Sequence, residues 1–307
     1  MCRNCTLEVQ NRHVGGEGSA ERTGPEWCHR ASADQNRPMI DLGLNGKRAV
    51  VSGAGYITTR AGHGRLSALR LAEAGATVAC IDIDEGRAQG TVEAIEAIGG
   101  KAFPVLADMT DPPQVKRAID EAVAELGGID VCVDIIGKGT WNTVQDFEPA
   151  EWDWTILNNL THVYYLFQAV ARQMIEQGTG GSLVALASVD GIAAAAYHVA
   201  YGAAKAGVIS VVKTFGYELG RYGIRVNAVA PGAVGSGNYD QPENQWGDDD
   251  INPLAAPRAQ DIANAVLFLS SGLAGRITGQ TLVVDGGATT RQAWDIRAEN
   301  IPLYRQF

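Results

Sequence analysis

Short apolar runs alternate with amphipathic stretches along most of the chain. From Lys47 onwards the runs have the length of strands, and the stretches between them have apolar positions at the spacing of a helix. Strands are predicted at Ala49–Ser52, Thr77–Ile83, Ala102–Leu106, Val131–Ile136, Ser182–Ala187, Arg225–Ala230 and Thr281–Asp285. Helices are predicted at Leu66–Ala74, Ala88–Ile98, Val115–Leu126, Glu151–Gln177, Tyr201–Tyr222 and Ala259–Leu269. Because a helix-length segment separates successive strands, we expect an α/β fold with a doubly wound parallel sheet and helices on both faces.

The two ends of the chain lack this pattern. Residues 1–40 are polar and show neither strand nor helix periodicity, so a disordered N-terminal extension is predicted, with Met39 as a candidate start codon. Residues 41–290 contain no repeat and no interdomain linker, and they are predicted to form a single domain. Residues 291–307 are predicted to be a C-terminal tail whose apolar side chains could dock on a neighbouring subunit.

Charge and composition narrow the classes of partner. The formal net charge is -10, which disfavours nucleic acid and anionic membranes, because both are bound through clustered Lys and Arg. The sequence has neither an apolar run long enough to span a membrane nor a secretory signal, so a cytoplasmic location is predicted. The one candidate zinc set lacks structured flanking sequence, and no metal site is predicted from it: Cys2, Cys5, Cys28 and His29.

Glycines accumulate between the first predicted strand and the first predicted helix, at Gly53, Gly55, Gly62 and Gly64. Glycines in this place let the backbone approach a pyrophosphate and leave helix N–H groups pointing at it, although a tight turn would use them too. Asp82 strengthens the first interpretation, because a carboxylate ending the second strand can accept hydrogen bonds from the adenosine ribose and repel a 2′-phosphate. These features predict a Rossmann-like dinucleotide site that prefers NAD to NADP.

Neighbouring residues extend the predicted cofactor site. Ile83 follows the acidic end of the second strand, and Met109 follows Asp108 at the end of the third. Asp108 could bond the adenine amine or cap the next helix. Arg60 and Arg65 lie in or beside the glycine segment and keep NADP as the alternative cofactor.

A second cluster of chemistry-bearing residues follows the fourth predicted strand. Tyr201 and Lys205 are four positions apart and therefore share a helix face; Ser188 ends a strand before them, and Asn159 lies in the preceding helix. In this order, after a dinucleotide-binding half, the four residues resemble the short-chain dehydrogenase/reductase superfamily. Further segments resemble it between about Leu44 and Ala288, namely Ala68–Gly75, Asn159–Leu160, Asn227–Gly232, Ile277–Gln280 and Asp285–Gly287.

The resemblance implies a role for each of the four residues. Tyr201 would protonate a carbonyl oxygen or deprotonate an alcohol, and Lys205 would favour the phenolate and hold the nicotinamide ribose. Ser188 would hydrogen-bond the reacting oxygen, and Asn159 would hold a water that connects Lys205 to solvent.

The resemblance also implies the surroundings of the nicotinamide. Gly137 would allow close approach of the cofactor, Pro231 and Gly232 would cradle the nicotinamide amide, and Val234 and Ser236 would continue that contact. The expected substrate is a small-molecule alcohol or ketone, and the expected assembly is a homodimer or homotetramer.

Two departures from the family pattern concern the cofactor site. Eight residues separate Gly53 from Gly62, where the family usually has three, and the effect of the extra residues is left open. The usual Asn-Asn-Ala-Gly after the fourth strand is Asp134-Ile135-Ile136-Gly137 here. Because the lost amides normally tie neighbouring strands together, and Asp134 could replace only an acceptor, reduced rigidity is expected.

The main hypothesis is therefore an NAD(H)-dependent oxidoreductase that transfers hydride between a nicotinamide cofactor and a secondary alcohol or ketone. Two alternatives remain. One is a catalytically weak or silent NAD(H)-binding sensor or scaffold of the same fold, which the departures motivate. The other is an NADPH-dependent carbonyl reductase.

Overall fold

A parallel sheet runs through the computed structural model, which describes residues 40–57, 62–234 and 254–290. In that part of the chain the strands are β1 (Arg48–Ser52), β2 (Thr77–Asp82), β3 (Lys101–Leu106), β4 (Val131–Asp134), β5 (Gly181–Leu186), β6 (Ile224–Pro231) and β7 (Thr281–Val284). Their order is β3-β2-β1-β4-β5-β6-β7, and every neighbouring pair is parallel. The predicted doubly wound α/β sheet is confirmed.

Helices connect the strands and cover both faces of the sheet. They are α1 (His63–Glu73), α2 (Glu85–Ala97), α3 (Pro112–Leu126), α4 (Pro149–Ile156), α5 (His162–Gln177), α6 (Val199–Leu219) and α7 (Ala259–Ser270). One buried cluster packs α3, α5 and α6 against the sheet through residues such as Val115, Phe167 and Val208. A second packs α1, α2 and α7 on the opposite face, for example through Leu71, Ile95 and Val266.

The predicted helix over Glu151–Gln177 differs from the observed structure. A π-helical turn, Leu157–Thr161, separates α4 from α5. Asn158 and Asn159 each donate a side-chain hydrogen bond to the carbonyl four residues earlier, at 2.9 Å. Side chains that occupy backbone carbonyls in this way compete with the regular helical ladder, and π turns are frequent at functional sites. Asn159 therefore lies in a turn whose helical backbone is wider than that of an α-helix.

The strand order changes direction between β1 and β4. The chain proceeds from β1 outwards to β3 and then returns to the other side of β1 to form β4. In open α/β sheets, ligands bind in the crevice beyond the carboxyl ends of the strands at this switch point. In the described part of the chain, no helix is long and apolar enough to cross a membrane.

Candidate active site

A cavity of about 900 Å³ lies at the switch point. This volume is in the range of small-molecule and cofactor sites. The cavity brings together most residues predicted to bind the cofactor, namely Gly53, Gly62, Gly64, Asp82, Ile83, Asp108, Met109, Gly137 and Val234. Ser236, Arg60, the N-terminal cysteines with His29, and the C-terminal tail lie outside the described residues.

The glycine segment forms a close backbone cradle. A Cβ on Gly64 would lie 1.9 Å from the carbonyl oxygen of Gly53, so only glycine fits at the start of α1. Gly53 and Gly62 both have φ of +73°, a left-handed conformation that glycine adopts most readily. Because α1 begins at His63, its free N–H groups face the cavity wall that the glycines form, as a pyrophosphate requires.

The first part of the lengthened loop is held by side chains on the next strand and helix. Thr91 donates a buried hydrogen bond to the carbonyl oxygen of Ala54 at 2.8 Å, and the N–H of Gly55 donates to the Asp82 carboxylate at 3.0 Å. The start of the loop is thus fixed beside β2 and α2. The loop continues through residues 58–61, outside the described residues, and returns at Gly62.

Asp82 stands at the carboxyl end of β2, where the sequence placed it. Its second oxygen accepts a hydrogen bond from the N–H of Asp84 at 3.1 Å, so backbone amides orient the carboxylate into the cavity wall. Arg87, one turn into α2, also lines the cavity and was missed by the sequence analysis. The sequence could have indicated Arg87, because it lies four residues after Ile83 and therefore in the first turn of α2, next to the end of β2.

Asp108 lines the cavity, but its carboxylate is engaged locally. One oxygen accepts hydrogen bonds from the N–H and the hydroxyl of Thr110, at 2.8 and 2.7 Å. Asp111, not Asp108, occupies the N-cap position of α3, and its side chain makes no capping hydrogen bond there. Met109 is 2% exposed and supplies apolar wall.

Ser188, Tyr201 and Lys205 converge beyond the carboxyl end of β5. Ser188 is buried, and a hydrogen bond from its side chain to the Tyr201 phenol lowers the phenol's pKa. The Lys205 ammonium lies 5.6 Å from the centroid of the Tyr201 ring and donates to the carbonyl of Leu186 at 2.7 Å. The α6 helix holds both side chains on the face that packs on β5 and β6.

Burial dominates the proton affinities of this cluster. The pKa of Tyr201 is raised to about 12, mainly because burial desolvates the phenolate; the hydrogen bond with Ser188 lowers the pKa and the nearby Asp190 carboxylate raises it. Desolvation lowers the pKa of Lys205 to about 8, against the opposing effect of the Asp134 carboxylate. Without cofactor, the Tyr201 phenol is therefore harder to deprotonate than an ordinary tyrosine, and the Lys205 ammonium is easier to deprotonate than an ordinary lysine.

Asn159 is fully buried and clamps the segment that follows β4. Its side-chain oxygen accepts from the N–H of Lys138 at 2.9 Å, and its amide donates to the Lys138 carbonyl at 2.7 Å. A Cβ on Gly137 would lie 3.3 Å from the Lys205 nitrogen and 3.4 Å from the Asn159 oxygen. Because Gly137 has no side chain, it leaves space between the cavity and the side chains of Lys205 and Asn159.

Asp134 has a partner that the sequence analysis missed. Its carboxylate lies 3.0 Å from Nε2 of His162, and both side chains are almost completely buried. The pair links the end of β4 to the first residue of α5. The two residues are 28 positions apart in the sequence, and no local pattern joins them.

The predicted nicotinamide wall is partly in place. Pro231 ends β6, and the N–H of Gly232 donates to the Val284 carbonyl at 2.9 Å. A Cβ on Gly232 would lie 2.9 Å from the Cα of Asp285, so the glycine permits this close packing of the segments after β6 and β7. Of these three residues Val234 lines the cavity, whereas Pro231 and Gly232 do not.

Comparison with known proteins gives consistent matches over most of the chain. Residues 57–289 match a family model described as enoyl-(acyl carrier protein) reductase. A curated L-rhamnose 1-dehydrogenase (NAD(P)(+)) from Sphingomonas sp. is 34% identical over 252 residues, which cover 80% of this chain and 96% of that protein.

Solved structures agree with that similarity. A short-chain dehydrogenase/reductase from Burkholderia xenovorans has a TM-score of 0.75 and 36% identity, covering 81% of this chain and 98% of the other. Carveol dehydrogenase from Mycobacterium avium, solved with NAD, has a TM-score of 0.72 and 32% identity, covering 80% and 99%.

Proposed function

The chain belongs to the short-chain dehydrogenase/reductase superfamily of oxidoreductases, and from that premise we propose that it interconverts a secondary alcohol and its ketone with NAD(H). The observation that carries the proposal is the convergence of Ser188, Tyr201 and Lys205 behind Gly137, which lines the cavity at the switch point and approaches the Lys205 nitrogen. A protein that only bound a nucleotide would have no use for this arrangement.

The residues around the cavity fit a dinucleotide. The Gly53–Gly64 cradle suits a pyrophosphate, Asp82 suits the adenosine ribose, and Gly137 leaves space beside Lys205 for the nicotinamide half. When bound, the nicotinamide would supply or accept the hydride.

Tyr201 is the proposed acid and base. Because its pKa is raised to about 12, the phenol is protonated at neutral pH and can donate a proton to a ketone oxygen. In the oxidation direction Tyr201 must lose that proton, and the Lys205 ammonium nearby favours the phenolate. Ser188 is placed to hydrogen-bond the same substrate oxygen, because its side chain reaches the phenol.

NAD is the proposed cofactor, and Asp82 is its main support. The carboxylate sits in the cavity wall, where it would repel the 2′-phosphate of NADP. The carveol dehydrogenase was solved with NAD, whereas the rhamnose dehydrogenase is named for both cofactors. Arg87 in the same wall is the feature that favours the alternative, an NADPH-dependent carbonyl reductase.

Substitution of Tyr201→Phe tests the proposal. We expect turnover of any accepted alcohol to fall by at least about a thousandfold, because proton transfer is lost while the ring is kept. NADH affinity, measured by fluorescence titration, is expected to change little. The substrate screen follows reduced-cofactor absorbance with NAD and NADP in parallel.

The rival hypothesis, a silent NAD(H)-binding sensor or scaffold, predicts a different result. It requires tight NADH binding with no turnover across a broad panel of alcohols and ketones. Full activity of the Tyr201→Phe variant would show that another residue transfers the proton.

A further inference from the structure

A histidine and an aspartate form a second polar pair beside Tyr201. His198 directly precedes α6, and Asp190 lies in a short turn, Val189–Gly191, that follows Ser188. Nδ1 of His198 is 2.5 Å from the Asp190 carboxylate. The ring centroids of His198 and Tyr201 are 5.2 Å apart, which places the pair next to the reacting phenol.

The backbone fixes this pair relative to the catalytic groups. The N–H of Asp190 donates to the Ser188 hydroxyl at 3.2 Å, and the N–H of Gly202 donates to the His198 carbonyl at 2.8 Å. The turn lies directly on α6, because a Cβ on Gly191 would come within 2.6 Å of the Lys205 backbone. His198 and Asp190 therefore cannot shift without moving Ser188 or Tyr201.

In this pair, Nε2 of His198 has no hydrogen-bond partner among the described residues. An ionised carboxylate only accepts hydrogen bonds, so Nδ1 carries the proton and Nε2 of the neutral ring is an acceptor. His198 is 8% exposed, and Nε2 has no hydrogen-bond partner among the described residues. A buried nitrogen without a partner is costly, and such groups are rare where they serve no purpose.

Two exposed residues lie over this nitrogen. The Trp141 ring centroid lies 3.4 Å from that of His198, and a Cβ on Gly139 would lie 3.6 Å from Nε2. Both covering residues are exposed, and Trp141 is 71% exposed in a segment with no helix or strand. A small displacement of the indole would open Nε2 to a molecule that already contacts Tyr201.

We propose that His198, oriented by Asp190, is a specificity-determining residue that accepts a hydrogen bond from a second hydroxyl group next to the reacting carbon. The substrates would then be vicinal diols and, in the reverse direction, α-hydroxyketones. This proposal rests on the proposed function of Tyr201, because it uses the position of the phenol to place the reacting carbon. The His198 and Tyr201 ring centroids are 5.2 Å apart, so one oxygen of a vicinal diol could bond the Tyr201 phenol while the oxygen on the adjacent carbon bonds His198.

A matched pair of probes tests this selectivity. For the enzyme loaded with NAD, kcat/KM for cis-1,2-cyclohexanediol is expected to exceed that for cyclohexanol by about tenfold or more, because a site built around a hydroxyl discriminates against the analogue that lacks it. Calorimetric binding of the two probes to the Tyr201→Phe variant with NADH gives a readout that does not depend on turnover. The diol is expected to bind about tenfold more tightly there too.

Variants assign the selectivity to the pair. His198→Phe keeps an aromatic ring against Trp141 but has no acceptor, so the diol preference is expected to disappear mainly through KM. His198→Gln restores an acceptor and is expected to recover part of the preference. Asp190→Asn should weaken it, because the amide can also accept or donate and no longer fixes the tautomer. Tyr217→Phe, at an 89% exposed position on α6, is the control and should change neither probe.

The outcomes separate this proposal from the proposed function. Turnover of both probes with equal kcat/KM, or equal binding, overturns the role of His198 and leaves the dehydrogenase function standing. An unchanged diol preference in His198→Phe does the same. Absence of turnover with any alcohol contradicts the proposed function, whereas diol-selective binding that depends on His198 would still support the recognition of a second hydroxyl.

Discussion

The Asp190 carboxylate acts on Tyr201 as well as on His198. Its negative charge raises the pKa of the phenol, in addition to the larger effect of burial. A higher pKa keeps the phenol protonated and available as a donor at neutral pH, and it lowers the fraction of phenolate available as a base in the oxidation direction. If Tyr201 transfers the proton as proposed, Asp190 would therefore bias the direction in which the site works best at a given pH.

Asp190→Asn is expected to lower the pKa of Tyr201, because it removes a charge that raises it. The acid limb of the pH profile of kcat/KM for alcohol oxidation should then move to lower pH, and so should the alkaline limb of ketone reduction. The measurement is a pH–rate profile in both directions. Asp120→Asn, which removes an exposed carboxylate paired with Lys116, should leave the profile in place. A shift to higher pH would contradict the assigned effect of Asp190.

Asp82→Asn tests the choice of cofactor at the same scale. The amide keeps an acceptor for the N–H of Gly55 but removes the charge that would repel a 2′-phosphate, and Arg87 remains in the cavity wall. The ratio of kcat/KM with NADP to that with NAD is expected to rise by about tenfold, or about 1.4 kcal/mol. Glu73→Gln, at an exposed pair with Arg70, is the control. An unchanged ratio would mean that Asp82 does not discriminate between the cofactors.

At the scale of elements, the strands could be predicted from the sequence, whereas the π-helical turn that carries Asn159 could not. Predicted and observed strands agree to within one or two residues, because buried parallel strands are continuous apolar runs. The π turn was missed, since its residues continue the apolar spacing of a helix and only side-chain bonds from Asn158 and Asn159 reveal it. The position of Asp134 was visible in the sequence, whereas its contact with His162 depends on the packing of α5 on β4.

The buried link between β4 and α5 is expected to matter for stability. His162→Phe would leave the Asp134 carboxylate buried without its partner, and one of its oxygens already has none among the described residues. Removing one member of a buried pair typically costs about 3 kcal/mol or more. Urea unfolding followed by circular dichroism should show this loss.

Asp134→Asn is the informative comparison for that link. The amide oxygen can still accept from His162, and no carboxylate is left buried without its partner, so the loss should be clearly smaller. Equal stability of His162→Phe and the unmodified protein would show that the pair does not tie β4 to α5.

At the scale of the whole molecule, the β7 edge of the sheet exposes apolar surface within the part of the chain that the structure describes. In the described part of the chain β7 pairs with β6 alone, and both Leu282 and Val283 on it are more than a third exposed. Phe268 on α7 and Leu273 beyond it are also exposed. Exposed apolar edges of this kind favour association and are a hazard when left open.

We therefore expect a homodimer or homotetramer in solution that uses the β7 edge. Light scattering after size exclusion should give a mass that is a multiple of the 32.5 kDa chain. Leu282→Lys should reduce that mass, because a charge on this edge strand opposes pairing with another copy. Tyr222→Phe, at a position 39% exposed after α6, should not change it. A single-chain mass for the unmodified protein at high concentration would exclude the assembly, and a Leu282→Lys variant of unchanged mass would place the interface on another face.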